Sequence, residues 1–163
     1  AGQGTSTVYL GDDASLEIYN TEQYTALVSD AIQQSGATQV WLSSSELGRD
    51  LTPRVAARQG VGALSDVTQI EISGDEITAY RPCMSTKVIQ KCKFSKDGLR
   101  VISIRSGFFT ADETSPATAK TVSLSIPEGH SKLKVKEVQV EVSDEVELKD
   151  PRIVLNARSG VGT

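Results

Sequence analysis

The hydrophobic period of this chain changes once, at Gly62, and that change limits the fold more than any single motif. Up to Gly62 apolar residues recur at helical spacing between short apolar runs. After it they alternate. Thr7–Leu10 reads as a short strand closed by Gly11 and the acidic pair Asp12-Asp13. Asn20 precedes Gln23 by three, the spacing of a capping box. Tyr24, Leu27, Val28, Ala31 and Ile32 then mark one stripe of an amphipathic helix that Gly36 ends. Gln39–Ser43 is the next strand. Its Val40-Trp41-Leu42 run predicts a strand covered on both faces. Strand, helix and strand together predict a βαβ unit.

The stretch SSSELGRDLTPRVAARQG, Ser43 to Gly60, then opens a second helix. Asp50 is the expected cap, with Pro53 in the first turn, where a missing N–H costs little. Leu51, Val55 and Ala56 face inward, Arg54 and Arg58 outward, and Gly60 and Gly62 end the helix. Beyond Gly62 the alternation predicts strands. Ile70 and Ile72 lie on one side of a Ser73-Gly74-Asp75 turn, and Ile77 and Ala79 on the other. Val88, Gln90, Cys92 and Phe94 share a face. Asp97-Gly98 signals a hairpin leading to Ile102 and Ile104. Val122, Leu124 and Ile126 form a further strand. Leu133 and Val135 are out of phase with Val138, Val140 and Val142, which predicts a bulge or break near Lys136. Asp150-Pro151 introduces a last apolar strand, Arg152–Leu155, and a glycine- and serine-containing end. The expected class is α/β: a Rossmann-like parallel sheet with helices, plus an antiparallel β extension.

With 163 residues the chain is long enough for one domain and the edge of a second. Its net charge of −4 argues against a general nucleic-acid binder, which shows a basic face. No apolar run approaches the roughly 20 residues of a membrane span. Ala1–Thr7 is small and polar, unlike a signal peptide. Cys83 and Cys92 stand apart without a CxxC or Cys/His cluster and read as ordinary thiols of a reducing compartment. His130, the single histidine, lies in a polar loop and assembles no catalytic group. Asp12-Asp13 reads as a solvated turn, and Arg81 and Arg105 as salt-bridge residues at an interface. Two readings of the Gly48-Arg49-Asp50 turn stand side by side. In one, the helix N-terminus and Arg49 hold an anion, as in a nucleotide-binding enzyme. In the other, Asp50 caps the helix and Arg49 pairs with an acid. The residues by themselves show no catalytic machinery and no metal site. They suit a domain that holds a partner or part of a cofactor site.

The stretch Leu47-Gly48-Arg49-Asp50-Leu51-Thr52-Pro53-Arg54-Val55-Ala56-Ala57-Arg58 resembles a segment of the electron transfer flavoprotein alpha subunit, the family that includes FixB proteins. Gly11-Asp12-Asp13, Gln39–Ser43, Asp66-Val67-Thr68 and Ile104-Arg105-Ser106-Gly107-Phe108-Phe109 resemble further segments in the same order. The resemblance implies an electron carrier, not an enzyme. Such a carrier takes electrons from dehydrogenases on FAD and passes them to an acceptor, in the bacterial cytoplasm or the mitochondrial matrix. It implies a beta subunit as partner, with this domain mainly packing against it. Residues 1–149 correspond to the N-terminal α/β domain without its opening strand–helix unit, and residues 150–163 to the start of the FAD-binding domain. Cys83-Met84-Ser85-Thr86 replaces a Gly-Gly-Asn-like loop. Asn156-Ala157-Arg158-Ser159-Gly160 replaces a Ser-Gly-Gly-Arg-Gly loop, so Arg158, Ser159 and Gly160 carry over as cofactor contacts. FAD belongs to the complete protein rather than to this segment. A non-redox scaffold that only binds a partner is the other expectation.

Overall fold

A computed structural model describes residues 4–95, 98–110, 118–126 and 132–139. Its centre is a parallel sheet of three strands in the order β2 (Gln39–Ser43), β7 (Arg100–Ile104), β3 (Ala63–Val67). Two helices, α1 (Thr21–Ser35) and α2 (Glu46–Gln59), pack against each other and against this sheet. An antiparallel sheet of β4 (Gln69–Ser73), β5 (Glu76–Cys83) and β6 (Val88–Lys93) adjoins β3. A separate parallel pair joins β1 (Thr7–Leu10) to β8 (Lys120–Ser123). The α/β class with an antiparallel extension is therefore the observed one.

Strand β7 explains the layering. Successive side chains of a strand point to opposite faces. Val101 joins Leu51, Val55 and Ala56 of α2, with Val40, Leu42, Tyr24, Val28 and Ile32 packed around them. Ile102 joins Val67, Ile77 and Ala79, with Leu64, Ile70 and Ile104 alongside. Val101, Ile102 and Ser103 are all fully buried. A residue run covered on both faces is the mark of a central parallel strand. That assignment corrects the hairpin expected at Asp97-Gly98. Gly98 has φ +123, but β6 and β7 lie in different sheets, and β7 runs parallel to both its neighbours. It also corrects β2, which among the described residues is an edge strand with Gln39, Trp41 and Ser43 exposed. Val40 and Leu42 meet the helices, whereas Trp41 is 39% exposed.

The expected β1–α1–β2 unit is corrected too, because β1 and β2 belong to different sheets. The strand–helix–strand unit that does share a sheet is β2–α2–β3, with β7 between its strands. Helix α1 starts as expected. Asn20 accepts from the Glu22 and Gln23 amides, and Gly36 ends the helix at φ +63. Its apolar stripe is only half-buried, and the most buried positions are Thr25, Ala26 and Ser29. The two hydroxyls satisfy themselves by donating to the Thr21 and Thr25 carbonyls, which lets small polar residues sit inside.

Helix α2 begins five residues before Leu51, not at Asp50. Ser45 is its cap, and the Ser45 hydroxyl accepts from the Gly48 amide. Pro53 therefore stands in the helix interior, where it costs the bond to the carbonyl four residues back. Asp50 has a different task. Its Oδ2 accepts from Thr21 Oγ1 at 2.6 Å and from Tyr19 Oη at 2.8 Å, and its Oδ1 from Arg54 Nε at 2.8 Å. Tyr19 also stacks edge-on to Tyr24 at 4.9 Å. One carboxylate thus ties the start of α1 to α2. Leu51, Val55 and Ala56 are buried, and Arg54 and Arg58 exposed, as expected. Residues 132–139 contain no strand. Lys132 and Leu133 meet the start of α1, where Asn20 donates to the Leu133 carbonyl and Glu22 accepts from the Lys132 amide. Val140, Val142 and the Arg152–Leu155 run lie outside the described residues.

The three donors on Asp50 hold its carboxyl down from the ordinary 3.8 to about 2, the Thr21 hydroxyl contributing most. A depressed carboxyl stabilises the fold above its unfolded value and stops doing so as pH falls through the folded one. The group is 38% exposed, so solvent screening keeps the effect small. Asp50→Asn is expected to lower stability at neutral pH by about 1 kcal/mol. It should also flatten the stability profile between about pH 4 and about pH 2, measured by urea unfolding at several pH values.

Candidate functional site

In open α/β sheets ligands gather at the carboxyl ends of the strands. Here those ends are the Ser43–Ser45 turn after β2, Asp66-Val67 in β3 and Arg105–Phe109 after β7. The chain reverses sharply out of β2. The Ser44 amide donates to the Ile104 carbonyl at 2.7 Å. A Cβ added to Gly48 would lie 1.7 Å from the Ser43 carbonyl oxygen, so only glycine fits where the helix returns over the strand end. Gly48, Arg49 and Asp50 are consequently three helical residues rather than a turn. Of the two readings of that stretch, an anion-holding turn is not what is observed, because the Gly48 and Arg49 amides already donate to Ser45.

The strand ends are bound together by hydroxyls and one ion pair. Ser44 Oγ donates to the buried Ser103 Oγ at 2.9 Å, and the Asp66 amide donates to the same oxygen at 3.2 Å. Asp66 sits where the β3–β7 register shifts, with φ +61, a left-handed conformation that aspartate tolerates better than most residues. There its carboxylate takes the Arg105 fork: Nε donates to Oδ1 at 2.9 Å, and Nη2 donates to Oδ2. Arg105 holds the Asp66 carboxyl below the usual aspartate range, and the nearby charges of Arg49 and Arg81 push it further down. Arg81 donates to Gln90 Oε1 at 2.9 Å and to Ser65 Oγ at 3.3 Å. Arg105 also lies over the Phe108 ring at 5.9 Å. The salt bridge expected of Arg105 at an interface is thus an internal pair of the described chain.

A shallow groove of about 230 Å³ runs beside this pair, lined by Trp41, Leu42, Ser43, Ile104, Arg105 and Phe109 among others. Trp41, Phe108 and Phe109 are exposed, unlike most residues of their size in a core. A larger groove of about 430 Å³ lies at the other end of the sheet, between Gly60–Leu64 and Phe94. Asp13 caps the short 3-10 turn Ala14–Leu16 by accepting from the Ser15 amide, as a solvated turn residue does. Cys83 and Cys92 are free thiols. Among the described residues no group of three His, Cys, Asp or Glu is placed to hold a metal, and no helix is long and apolar enough to cross a membrane. His130, Arg158, Ser159 and Gly160 lie outside the described residues. Sequence reasoning missed Asp66 and Ser103 as partners because their contacts join positions 37 or more residues apart.

Comparison with known proteins matches residues 1–128 to the electron transfer flavoprotein domain. The chain is similar to the protein FixB of Clostridium saccharobutylicum, 26% identical over all of this chain and 50% of that protein. It is similar to the electron transfer flavoprotein subunit alpha of Bacillus subtilis, 24% identical over 97% of this chain and 49% of the relative. The mitochondrial subunit alpha of Dictyostelium discoideum is 27% identical over 97% and 47% of the two chains. The chain spans about half the length of these curated relatives.

Left-handed backbone at Asp66 gives a test of how the ion pair is held. Asp66→Asn keeps a residue that tolerates this conformation, and Asp66→Gly removes its strain. Asp66→Ala loses the partner of Arg105 and keeps the strain. Denaturant unfolding should rank the glycine variant above the alanine variant by about 1 kcal/mol, although glycine is the more flexible residue when unfolded.

Proposed function

The chain belongs to the electron transfer flavoprotein domain family, and on that premise we propose that it is part of an alpha-type subunit. The complete protein takes electrons from dehydrogenases onto FAD and hands them to an acceptor, as a carrier rather than an enzyme. Its partner is a beta-type subunit, and the domain described here mainly packs against that subunit. The compartment is the bacterial cytoplasm or the mitochondrial matrix. The single observation that carries this reading is the family match over residues 1–128, supported by relatives named as alpha subunits or FixB along nearly the whole chain.

The geometry supports the packing role. At the strand ends, where an α/β domain takes its ligand, the protein's own Ser44, Ser103, Asp66 and Arg105 side chains occupy the space. What is left open is a shallow, partly aromatic surface. FAD then belongs chiefly to the rest of the complete protein, with Arg158, Ser159 and Gly160 as the contacts this chain supplies. An arginine there pairs with a phosphate, and a glycine lets the cofactor approach the backbone.

The test is co-expression of the full reading frame with its beta-type subunit. The purified heterodimer should be yellow, with flavin absorption that bleaches on reduction and returns in air. A heterodimer that stays colourless when FAD is supplied would overturn the reading. Arg158→Ala should lower flavin occupancy, measured as bound flavin per heterodimer, without separating the subunits.

A further inference from the structure

At the carboxyl ends of the parallel sheet, in a chain whose net charge is −4, Arg105 grips Asp66, Arg81 reaches the adjacent Ser65, and Arg49 follows Gly48, which packs on the Ser43 carbonyl. Arg105 is fixed, because Asp66 takes two of its nitrogens and the Phe108 ring lies beneath it. Arg81 is fixed by Gln90 and Ser65. Arg49 projects from the first turns of α2, exposed, and no side chain among the described residues hydrogen-bonds it. Among the described residues Asp66 pairs directly with Arg105 alone. The cations continue into the groove through Arg105, which lines it together with Trp41 and Phe109.

Trp41 is exposed for a structural reason. It lies on the Ile102 side of the sheet, and the cluster that covers Ile102 draws on β3, β4 and β5, on the far side of β7 from β2. β2 has no further strand on its outer side among the described residues. At about 230 Å³ the groove is below the size of pockets that enclose a cofactor. Tryptophan and arginine in a rigid setting are instead the residues that dominate protein–protein contacts.

We propose that the groove between Trp41 and Phe109, with the cations Arg49, Arg81 and Arg105, is the docking face for an acidic segment of the beta-type partner subunit. This rests on the partner assigned above. The aromatic rings supply the apolar contact. Arg49 and the free edge of Arg105 meet an aspartate or glutamate of the partner. The Asp66–Arg105 pair holds the arginine in position beforehand, so little side-chain freedom is lost on docking.

The experiment uses the full-length subunit and the co-expressed beta-type subunit, separated and recombined, with association followed by biolayer interferometry. Arg49→Glu should slow association and weaken binding at least about fivefold at low salt, and the gap from the parent should close at high salt. Trp41→Ala should weaken binding about tenfold or more, mainly through faster dissociation. Arg58→Glu, on the exposed side of α2 near its end, should bind like the parent. Thermal melts matching the parent show that each variant is folded. Should Trp41→Ala prove unstable, Phe109→Ala tests the same groove. A complex that forms with parental affinity in both Arg49→Glu and the groove variant overturns the docking face and leaves the subunit assignment standing. Failure of the parent subunits to associate overturns the assignment and the docking face with it.

Discussion

The structure depends on three consecutive residues of β7, each facing a different demand. Val101 fills the helical layer, Ile102 fills the layer beneath the antiparallel strands, and Ser103 accepts from both neighbouring strand ends. Burial of the two aliphatic side chains contributes about 1.5–3 kcal/mol each. The hydroxyl matters for a different reason. A buried oxygen that accepts from the Asp66 amide and the Ser44 hydroxyl satisfies donors that would otherwise be stranded where β2 turns into α2 and where β3 shifts register. The sheet can therefore be dry at its centre and polar at its carboxyl edge within one residue.

That edge is normally where an α/β domain opens to a ligand. Here the protein has closed it with its own groups. The Asp66 carboxylate stands where an external anion would meet Arg105, and the Ser43 carbonyl lies against Gly48 where a loop would need room. The local chemistry still resembles an anion site, since Arg105 grips the carboxylate and Arg81 reaches the residue beside it. Its occupant is internal, and the surplus charge is displaced outward to Arg49 and toward the aromatic groove. A surface of this kind suits selection of a macromolecular partner, because charge steers the encounter and rings supply the contact.

Much of the fold was legible in local pattern. The bounds of β1 and β2, the Asn20 cap, the inward residues of α2 and the β4–β5 turn follow from capping chemistry and periodicity. The misreadings have a common cause, which is that local signals do not encode neighbours. Asp97-Gly98 is a good turn, but whether the following strand folds back or crosses to another sheet depends on what β7 buries on both faces. The continuous apolar run of Val40-Trp41-Leu42 looked central for the same reason, and the β7 run of Val101-Ile102 was the central one. Ser45 and Asp50 are both capping types. The choice between them was made by Tyr19 and Thr21, roughly thirty residues earlier, which take Asp50 Oδ2 and leave Oδ1 to Arg54. A signal was present in Ser45-Glu46, a cap followed by an acid in the first turn, but Pro53 pointed the other way.

The candidate site was the least legible part because none of its contacts is local. Asp66 and Arg105 are 39 residues apart, and Ser44 and Ser103 are 59 apart. Each residue alone reads as an ordinary polar or charged side chain at a strand end. They acquire a role only because β2, β7 and β3 run parallel and finish at the same level, so that residues far apart in the chain arrive together. The same geometry separates what the domain buries from what it displays. The register that aligns the strand ends is set by the buried core. The residues displayed there, Arg49, Trp41 and Phe109, are exposed and can change without disturbing Val101 or Ile102. The chemistry of this face is thus separable from stability in this fold, and Asp66–Arg105 is the point where the two meet: it closes the β3–β7 edge and fixes the charge at its rim.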